Sequence, residues 1–163
     1  MKFILSNVYT VIIAEALVAA TAATICSSLL HAPVWIMFVG WVSFFTKNPS
    51  LKGGSLNVGA TLLGVAIGTL ALTGLATLSP QIGPLAVTAV VFSVALTVLL
   101  MARFPATSNP LSVFLGLIAF FAIHESPSIA TVIKLTLPIL LGGIAAYLAF
   151  SIHAASPKSP SPS

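Results

Sequence analysis

The stretch Leu56–Leu78 reads LNVGATLLGVAIGTLALTGLATL and carries no charged residue over its 23 positions. A helix needs about 20 apolar residues to cross about 30 Å of hydrocarbon, so this stretch predicts a transmembrane helix. Three other stretches reach a similar length, namely Val8–Leu30, Ile82–Ala102 and Thr131–Ile152. The sequence therefore predicts an all-α integral membrane protein, for which lipid is the main solvent.

The composition of the whole chain agrees with this prediction. Of 163 residues, 58% are hydrophobic and 5% are charged, and the mean hydropathy is +1.16. A soluble domain carries about 25% charged residues. So few charges exclude a cytosolic enzyme, a nucleic-acid-binding protein and a disulfide-rich secreted domain. The formal net charge of +4 comes from scattered bases rather than from a basic patch.

Two shorter apolar stretches, Pro33–Thr46 and Pro110–Ile123, complete a set of six predicted helices. Each begins with proline, which suits the first position of a helix. Six crossings with a cytoplasmic N-terminus place five bases on the inner face: Lys2, Lys47, Lys52, Arg103 and Lys158. This bias is typical of a multi-pass membrane protein. We therefore expect six transmembrane helices with both the N- and the C-terminus in the cytoplasm.

The chain is predicted to form a single transmembrane domain over residues 1–154. Glu15 in the middle of the first apolar stretch argues against a cleaved secretory signal. Residues 155–163 (ASPKSPSPS) are rich in proline and serine and are expected to be a disordered tail.

The order long, short, long occurs twice, and the two halves share short motifs. Phe44-Phe45 matches Phe120-Phe121, and Pro49-Ser50 matches Pro127-Ser128; after the Pro-Ser pair the offset is a constant 78 positions. Three crossings per half would invert the second copy, so residues 8–78 and 82–152 are interpreted as inverted repeats. Such halves are typical of transporters, whose sites lie near the membrane midplane. Two helical hairpins of similar composition are the alternative.

Glu15 is the most informative single residue, because it lies about 10 Å into the first predicted span. A carboxylate at this depth is costly unless it is paired, protonated or hydrated. Glu15 is therefore either functional, as a proton or cation site or as part of a polar substrate pathway, or half of a structural ion pair with Arg103 or Lys52.

The aromatic residues of the two short stretches are the other pathway candidates, with packing of the core as the alternative. They are Trp41, Phe44, Phe45, Phe120 and Phe121. Lys134, about one turn inside the last span, is a further candidate that would attract an anionic solute, although it can also extend to the interface.

Small residues repeat every four positions in the third predicted helix and recur in the sixth. These residues are Ala60, Gly64, Gly68, Gly142 and Ala146. Such stripes allow close helix crossings. Gly53-Gly54-Ser55 is expected to begin the third helix, with Ser55 as its N-cap.

No sequence motif of a nucleophile, metal or nucleotide site is present, so we expect no enzymatic activity, no cofactor and no metal. His31, His124 and Glu125 are interpreted as solvated loop residues rather than metal ligands. The expected partners are the lipid bilayer and further copies of this chain, because 163 residues enclose little space. Nucleic acid is not an expected partner.

The stretch Pro33–Leu72, PVWIMFVGWVSFFTKNPSLKGGSLNVGATLLGVAIGTLAL, resembles the core of the YcdZ-like bacterial inner-membrane proteins, a family of unknown function. It is more distantly similar to the membrane part of fusaric-acid-resistance and aromatic-acid-exporter proteins. The resemblance implies a location in the bacterial inner membrane and transfers no site residue. We expect the chain to lack the cytoplasmic domain that those exporters usually carry.

These observations lead to two functional expectations. The first is a channel or carrier for a small solute. The alternative is a non-transporting membrane subunit or scaffold, whose smooth helix faces would pack against partner helices.

Overall fold

The computed structural model describes residues 8–156, and this part of the chain is helical. Its six α-helices are α1 (Val8–Ser28), α2 (Val34–Phe45), α3 (Leu51–Ile82), α4 (Leu85–Met101), α5 (Pro110–Ala122) and α6 (Ile129–Ala154). A 3₁₀ turn, Pro105–Thr107, precedes α5. Three helices, α1, α3 and α6, are long and apolar enough to cross a membrane, and α2, α4 and α5 are shorter apolar helices. The prediction of an all-α protein with six helices is confirmed for this range.

Helix α3 begins earlier than the sequence predicted, at Leu51 rather than Leu56. The Ser50 hydroxyl accepts a hydrogen bond from the Gly53 amide at 2.9 Å and so caps the helix. The predicted N-cap at Ser55 is therefore wrong, and the Ser55 hydroxyl donates instead to the Leu51 carbonyl within α3. Of the predicted tail, Ala155 and Ser156 follow α6, and residues 157–163 lie outside the described residues.

The two short helices each pack along a long helix that is distant in sequence: α2 lies along α6, and α5 lies along α3. At the first crossing, Gly40 lies against the Ile139 carbonyl, and Gly142 lies against the Met37 carbonyl and the Trp41 amide. A Cβ atom on either glycine would overlap this backbone. The absence of side chains therefore allows α2 and α6 to approach closely.

The second crossing is built in the same way. Gly64 of α3 lies against the Val113 carbonyl and Gly116 of α5, and Gly116 lies in turn against the Thr61 carbonyl. Farther along, Gly68 is covered by the Phe120 ring. Among the other small residues singled out from the sequence, Ala60 and Ala146 are buried. The two crossings, α2–α6 and α3–α5, form the centre of the bundle.

A core of apolar side chains fills the space around these crossings. Its buried members are Ile36, Phe44, Val58, Val65, Ala119, Phe120, Leu135, Ile139 and Ala146. Helix α1 packs outside on α6, and α4 packs outside on α3. Both outer helices expose large apolar side chains, such as Leu17 and Phe92, as expected for surfaces that face lipid.

Polar contacts tie the connecting segments together at the two ends of the bundle. At one end, here called the Lys47 end, the Lys47 ammonium donates to the Ser108 carbonyl and lies 3.0 Å from both Ser108 oxygens. At the opposite end, here called the Glu125 end, Glu125 forms an ion pair with Lys134. Glu15 of α1 lies at the Lys47 end, beside the last turn of α6.

We expect Gly142→Ala to destabilise the bundle, because its Cβ would overlap backbone atoms of α2 that cannot move independently. Overpacking of this kind costs about 1–3 kcal/mol. Gly59→Ala in α3 is the matched control, because no atom lies within 4 Å of its Cβ position. Thermal unfolding of both variants in a mild non-ionic detergent measures the difference. Equal midpoints for the two variants would show that the close approach of α2 and α6 is not required.

Candidate functional site

A cleft of about 430 Å³ lies at the Lys47 end, between α1, α2 and α6. Seven residues line it: Glu15, Trp41, Phe45, Pro49, Ala149, Phe150 and His153. The three helices supply different chemistry, since α1 contributes the carboxylate, α2 contributes two aromatic rings, and α6 contributes the imidazole and a third ring. We call this space the Glu15 cleft.

Glu15 forms a pair within the cleft, with its Oε1 atom 3.0 Å from Nδ1 of His153. The Glu15 side chain is 30% exposed, whereas that of His153 is 77% exposed. The expected partners, Arg103 and Lys52, do not form this pair. The reason is the packing order: α1 lies against α6 and α2, whereas Lys52 belongs to α3 and Arg103 follows α4.

Aromatic rings form a continuous wall along the cleft. The Trp41 and Phe45 ring centroids are 6.2 Å apart, and Phe45 meets Phe44 edge-on at 5.2 Å. Phe44 in turn lies 6.0 Å from Phe150 of α6. The structure thus brings together three residues predicted from the sequence, Glu15, Trp41 and Phe45, with Phe44 buried behind them.

The remaining sequence candidates lie elsewhere. Phe120 is buried against Gly68, and Phe121 meets Phe120 edge-on at 5.9 Å on the α5 side of the bundle. Lys134 lies at the Glu125 end, where it pairs with Glu125. From the sequence we expected Phe120, Phe121 and Lys134 to line the same pathway as Glu15. None of the three lines the Glu15 cleft.

A second polar feature, which the sequence analysis missed, is a cluster of hydroxyl and amide side chains where α2, α3 and α5 meet. We call it the polar cluster; its members are Ser43, Thr46, Asn57, Thr61, Asn109 and Ser112. Four of them, Ser43, Asn57, Thr61 and Ser112, are less than 5% exposed. The detectable signal was Asn57, an amide inside an otherwise apolar span.

Hydrogen bonds connect the polar cluster throughout. The Ser43 and Thr61 hydroxyls are 2.6 Å apart, and Thr61 lies 2.9 Å from the Ser112 carbonyl, to which it donates. The Asn109 amide donates to the Asn57 side-chain oxygen at 2.9 Å, and the Asn57 amide donates to the Lys47 carbonyl at 2.7 Å. No buried side-chain nitrogen or oxygen of the described residues lacks a partner. The cluster therefore joins α2, α3 and α5 without leaving an orphaned polar atom.

The two features differ in what they can do chemically. The Glu15 cleft contains a carboxylate, an imidazole and open volume, so it can hold a small polar molecule. The polar cluster contains neutral groups and borders a cavity of about 110 Å³ lined in part by Lys47, Asn57 and Asn109. Within residues 8–156, no three His, Cys, Asp or Glu side chains come together to hold a metal ion.

We expect Asn57→Leu to lower the stability by about 1–3 kcal/mol, because the Phe44 and Lys47 carbonyls would each lose a donor and the Asn109 amide would lose one of its acceptors. Thr73→Val is the matched control in the same helix, since the exposed Thr73 hydroxyl bonds to the Thr69 carbonyl of α3 itself. Thr73→Val should lower the free energy of unfolding by no more than about 0.5 kcal/mol. Denaturation in detergent compares the two, and an equal loss would mean that the polar cluster does not hold the helices together.

Comparison with known proteins adds one match. Over residues 12–151 the chain matches the family model described as "Protein of unknown function (DUF1097)". No curated protein matches the chain, and no solved structure does. The expectation of an uncharacterised family is therefore confirmed, and the resemblance to the YcdZ-like proteins stays a prediction.

Proposed function

Because the chain belongs to the DUF1097 family, which carries no assigned function, we propose a function from geometry: a channel or carrier for a small solute, built from two inverted halves. The halves are residues 8–78 and 82–152, in the bacterial inner membrane with both termini in the cytoplasm. One observation carries the proposal, namely the reciprocal packing of each short helix on the long third helix of the other half. Inverted halves that meet through short helices near the midplane are typical of secondary transporters.

The contacts at the two crossings support the repeat. Gly40 and Gly116 lie 76 positions apart in the sequence, and Gly64 and Gly142 lie 78 apart, the same two offsets that relate the matching motifs. Gly40 and Gly142 lie at the α2–α6 crossing, and Gly116 and Gly64 lie at the α3–α5 crossing. The α2–α6 crossing is therefore the counterpart of the α3–α5 crossing, as a pseudo-two-fold axis requires.

The helix ends support the same relation. Ser50 and Ser128 are 78 positions apart, and each caps a long helix by accepting from the amide three residues later. Asn48 and His124 are 76 positions apart, and each follows a short helix with a positive φ, of 47° and 54°. Non-glycine residues rarely adopt this conformation, so its recurrence at equivalent positions favours a repeat over two similar hairpins.

The positions of the charges favour six crossings. Lys47 contacts Ser108, so the segments after α2 and after α4 meet at one end of the bundle. The start of α1 and the end of α6 meet at this end too, through Glu15 and His153. The Glu125–Lys134 pair lies at the other end. We therefore assign the Lys47 end to the cytoplasm, and we expect further copies of the chain to enclose the pathway.

The two halves differ in polarity at the positions that matter for a pathway. The repeat offsets relate Ser43 to Ala119, Thr61 to Ile139, and Ser112 to Ile36. These three apolar counterparts are fully buried. The interface between the halves is thus polar toward the Lys47 end and apolar toward the Glu125 end. This asymmetry supports a pathway that opens at the Lys47 end, where the Glu15 cleft lies, and that apolar side chains close at the other end.

A cysteine-accessibility experiment tests the pathway. In a Cys26→Ala background, which removes the single native thiol, we expect Trp41→Cys, in the Glu15 cleft, to react with a membrane-impermeant thiol reagent applied from the Lys47 side. The repeat supplies the control, because Leu117→Cys occupies the equivalent position, is buried and should stay unreacted. Labelling is read by mass shift. Two unreactive cysteines, or two equally reactive ones, would contradict a pathway through the Glu15 cleft.

Solute flux into proteoliposomes tests transport itself. The panel includes neutral solutes, organic anions and organic cations, with and without a proton gradient. We expect Glu15→Gln to reduce the flux by about tenfold or more, because its cleft loses the carboxylate. Glu125→Gln is the matched control at the opposite end. Absence of flux for the whole panel would overturn the proposal in favour of a non-transporting subunit that packs against partner helices.

A further inference from the structure

We propose that the Glu15 cleft is a binding site for a small organic cation, such as a quaternary ammonium compound. The cleft would bind such a cation whether or not the protein transports it; that the bound cation is also the transported solute rests on the proposed function above. The inference depends on what the cleft places together: one half-buried carboxylate, three aromatic rings and open space.

The charge of the cleft favours a cation. Glu15 supplies a carboxylate, and no lysine or arginine lines the cleft among residues 8–156. The other titratable group facing the cleft from α1, α2 or α6 is His153, which is far more exposed than Glu15. A half-buried carboxylate between apolar helices is stabilised by a positive partner. An anionic ligand would be repelled by the Glu15 carboxylate and would find no lysine or arginine in the cleft lining.

The aromatic wall favours an organic cation over an inorganic one. Trp41, Phe45 and Phe150 line the cleft, and the negative face of an aromatic ring attracts a cation within about 6 Å of the ring centre. Trp is the strongest of the aromatic residues in this respect. A metal ion would need several oxygen or nitrogen ligands, whereas the cleft offers one carboxylate and one imidazole. Its volume of about 430 Å³ is in the range of small-molecule pockets.

His153 occupies the place that the cation would take. Its Nδ1 atom lies 3.0 Å from Glu15 Oε1, so a bound cation must share or replace this contact. Removing the imidazole should therefore strengthen cation binding, whereas removing the carboxylate should weaken it. A purely structural ion pair predicts a different result, because both substitutions would then act on stability alone.

Binding is measured on the purified full chain in a non-ionic detergent. Trp35→Phe leaves Trp41 as the single tryptophan, so its fluorescence reports on the cleft. The probe is choline, and the control ligand is 3,3-dimethylbutan-1-ol, in which a neutral carbon replaces the charged nitrogen. We expect choline to change the Trp41 emission in a saturable way and the neutral analogue to bind at least about tenfold more weakly, a difference typical of one lost charge contact.

Variants in the Trp35→Phe background then test the residues. We expect Glu15→Gln to weaken choline binding by about tenfold or more and His153→Asn to strengthen it severalfold, because the competitor is gone. Glu125→Gln, which removes the other carboxylate of the described residues, should leave the affinity unchanged. Unfolding midpoints and elution profiles identify any variant that fails to fold, and Trp41→Phe, read by calorimetry, provides a second test of the same site with an expected loss of affinity.

Several outcomes would overturn the inference: equal binding of choline and its neutral analogue, equal losses in Glu15→Gln and Glu125→Gln, or an unchanged affinity in His153→Asn. Measurements of choline binding and of solute flux together test the cation site and the proposed transport separately. Choline binding without flux of any solute would keep the site and reject transport. Flux without choline binding would keep transport and reject the cation site.

Discussion

The fold depends on backbone-to-backbone contact at two glycine crossings. Helix α2 reaches α6, and α5 reaches α3, only because Gly40, Gly142, Gly64 and Gly116 present no Cβ atom to the neighbouring backbone. In lipid, helices gain little from hiding apolar surface, so close van der Waals packing supplies much of the association energy. The positions of the central core, the polar cluster and the Glu15 cleft all follow from these two approaches.

The polar cluster and the cleft show two ways to place polar groups within a bundle of apolar helices. In the cluster, neutral hydroxyls and amides satisfy each other across three helices, so their desolvation is compensated by hydrogen bonds. In the cleft, one carboxylate is left with an exposed imidazole and open space. The hydrogen-bonded cluster favours a rigid contact between the helices. The cleft, in contrast, allows a ligand to replace His153 as the partner of Glu15. This difference is why we assign binding to the cleft and helix association to the cluster.

The sequence predicted the helices and several members of the site, but not how they are combined. Apolar length and flanking prolines are local signals, and Glu15 was recognisable as a charge in an apolar span. Its partner was not, because His153 is distant in sequence and the order of helix packing decides which residue meets α1. The cluster of Ser43, Thr61 and Ser112 could not be predicted from the sequence either. A hydroxyl in an apolar helix often bonds to its own helix, as Thr69 does with the Val65 carbonyl. Whether a hydroxyl bonds within its helix or to a neighbouring helix depends on how the helices, here α3 and α5, pack against each other.

The reciprocal exchange of short helices has a consequence for biogenesis. Helix α2 has 12 residues, and its main partner, α6, is the last of the six helices of residues 8–156 to leave the ribosome. During synthesis the glycine face of α2 therefore stays uncovered until residues 46–128 and then α6 have been made, whereas α5 finds α3 already synthesised. The two chemically similar crossings thus form at different times, the α3–α5 crossing once α5 is made and the α2–α6 crossing only once α6 follows. Packing of α2 depends on α6, so the bundle matures as one unit rather than as two successive groups of three helices.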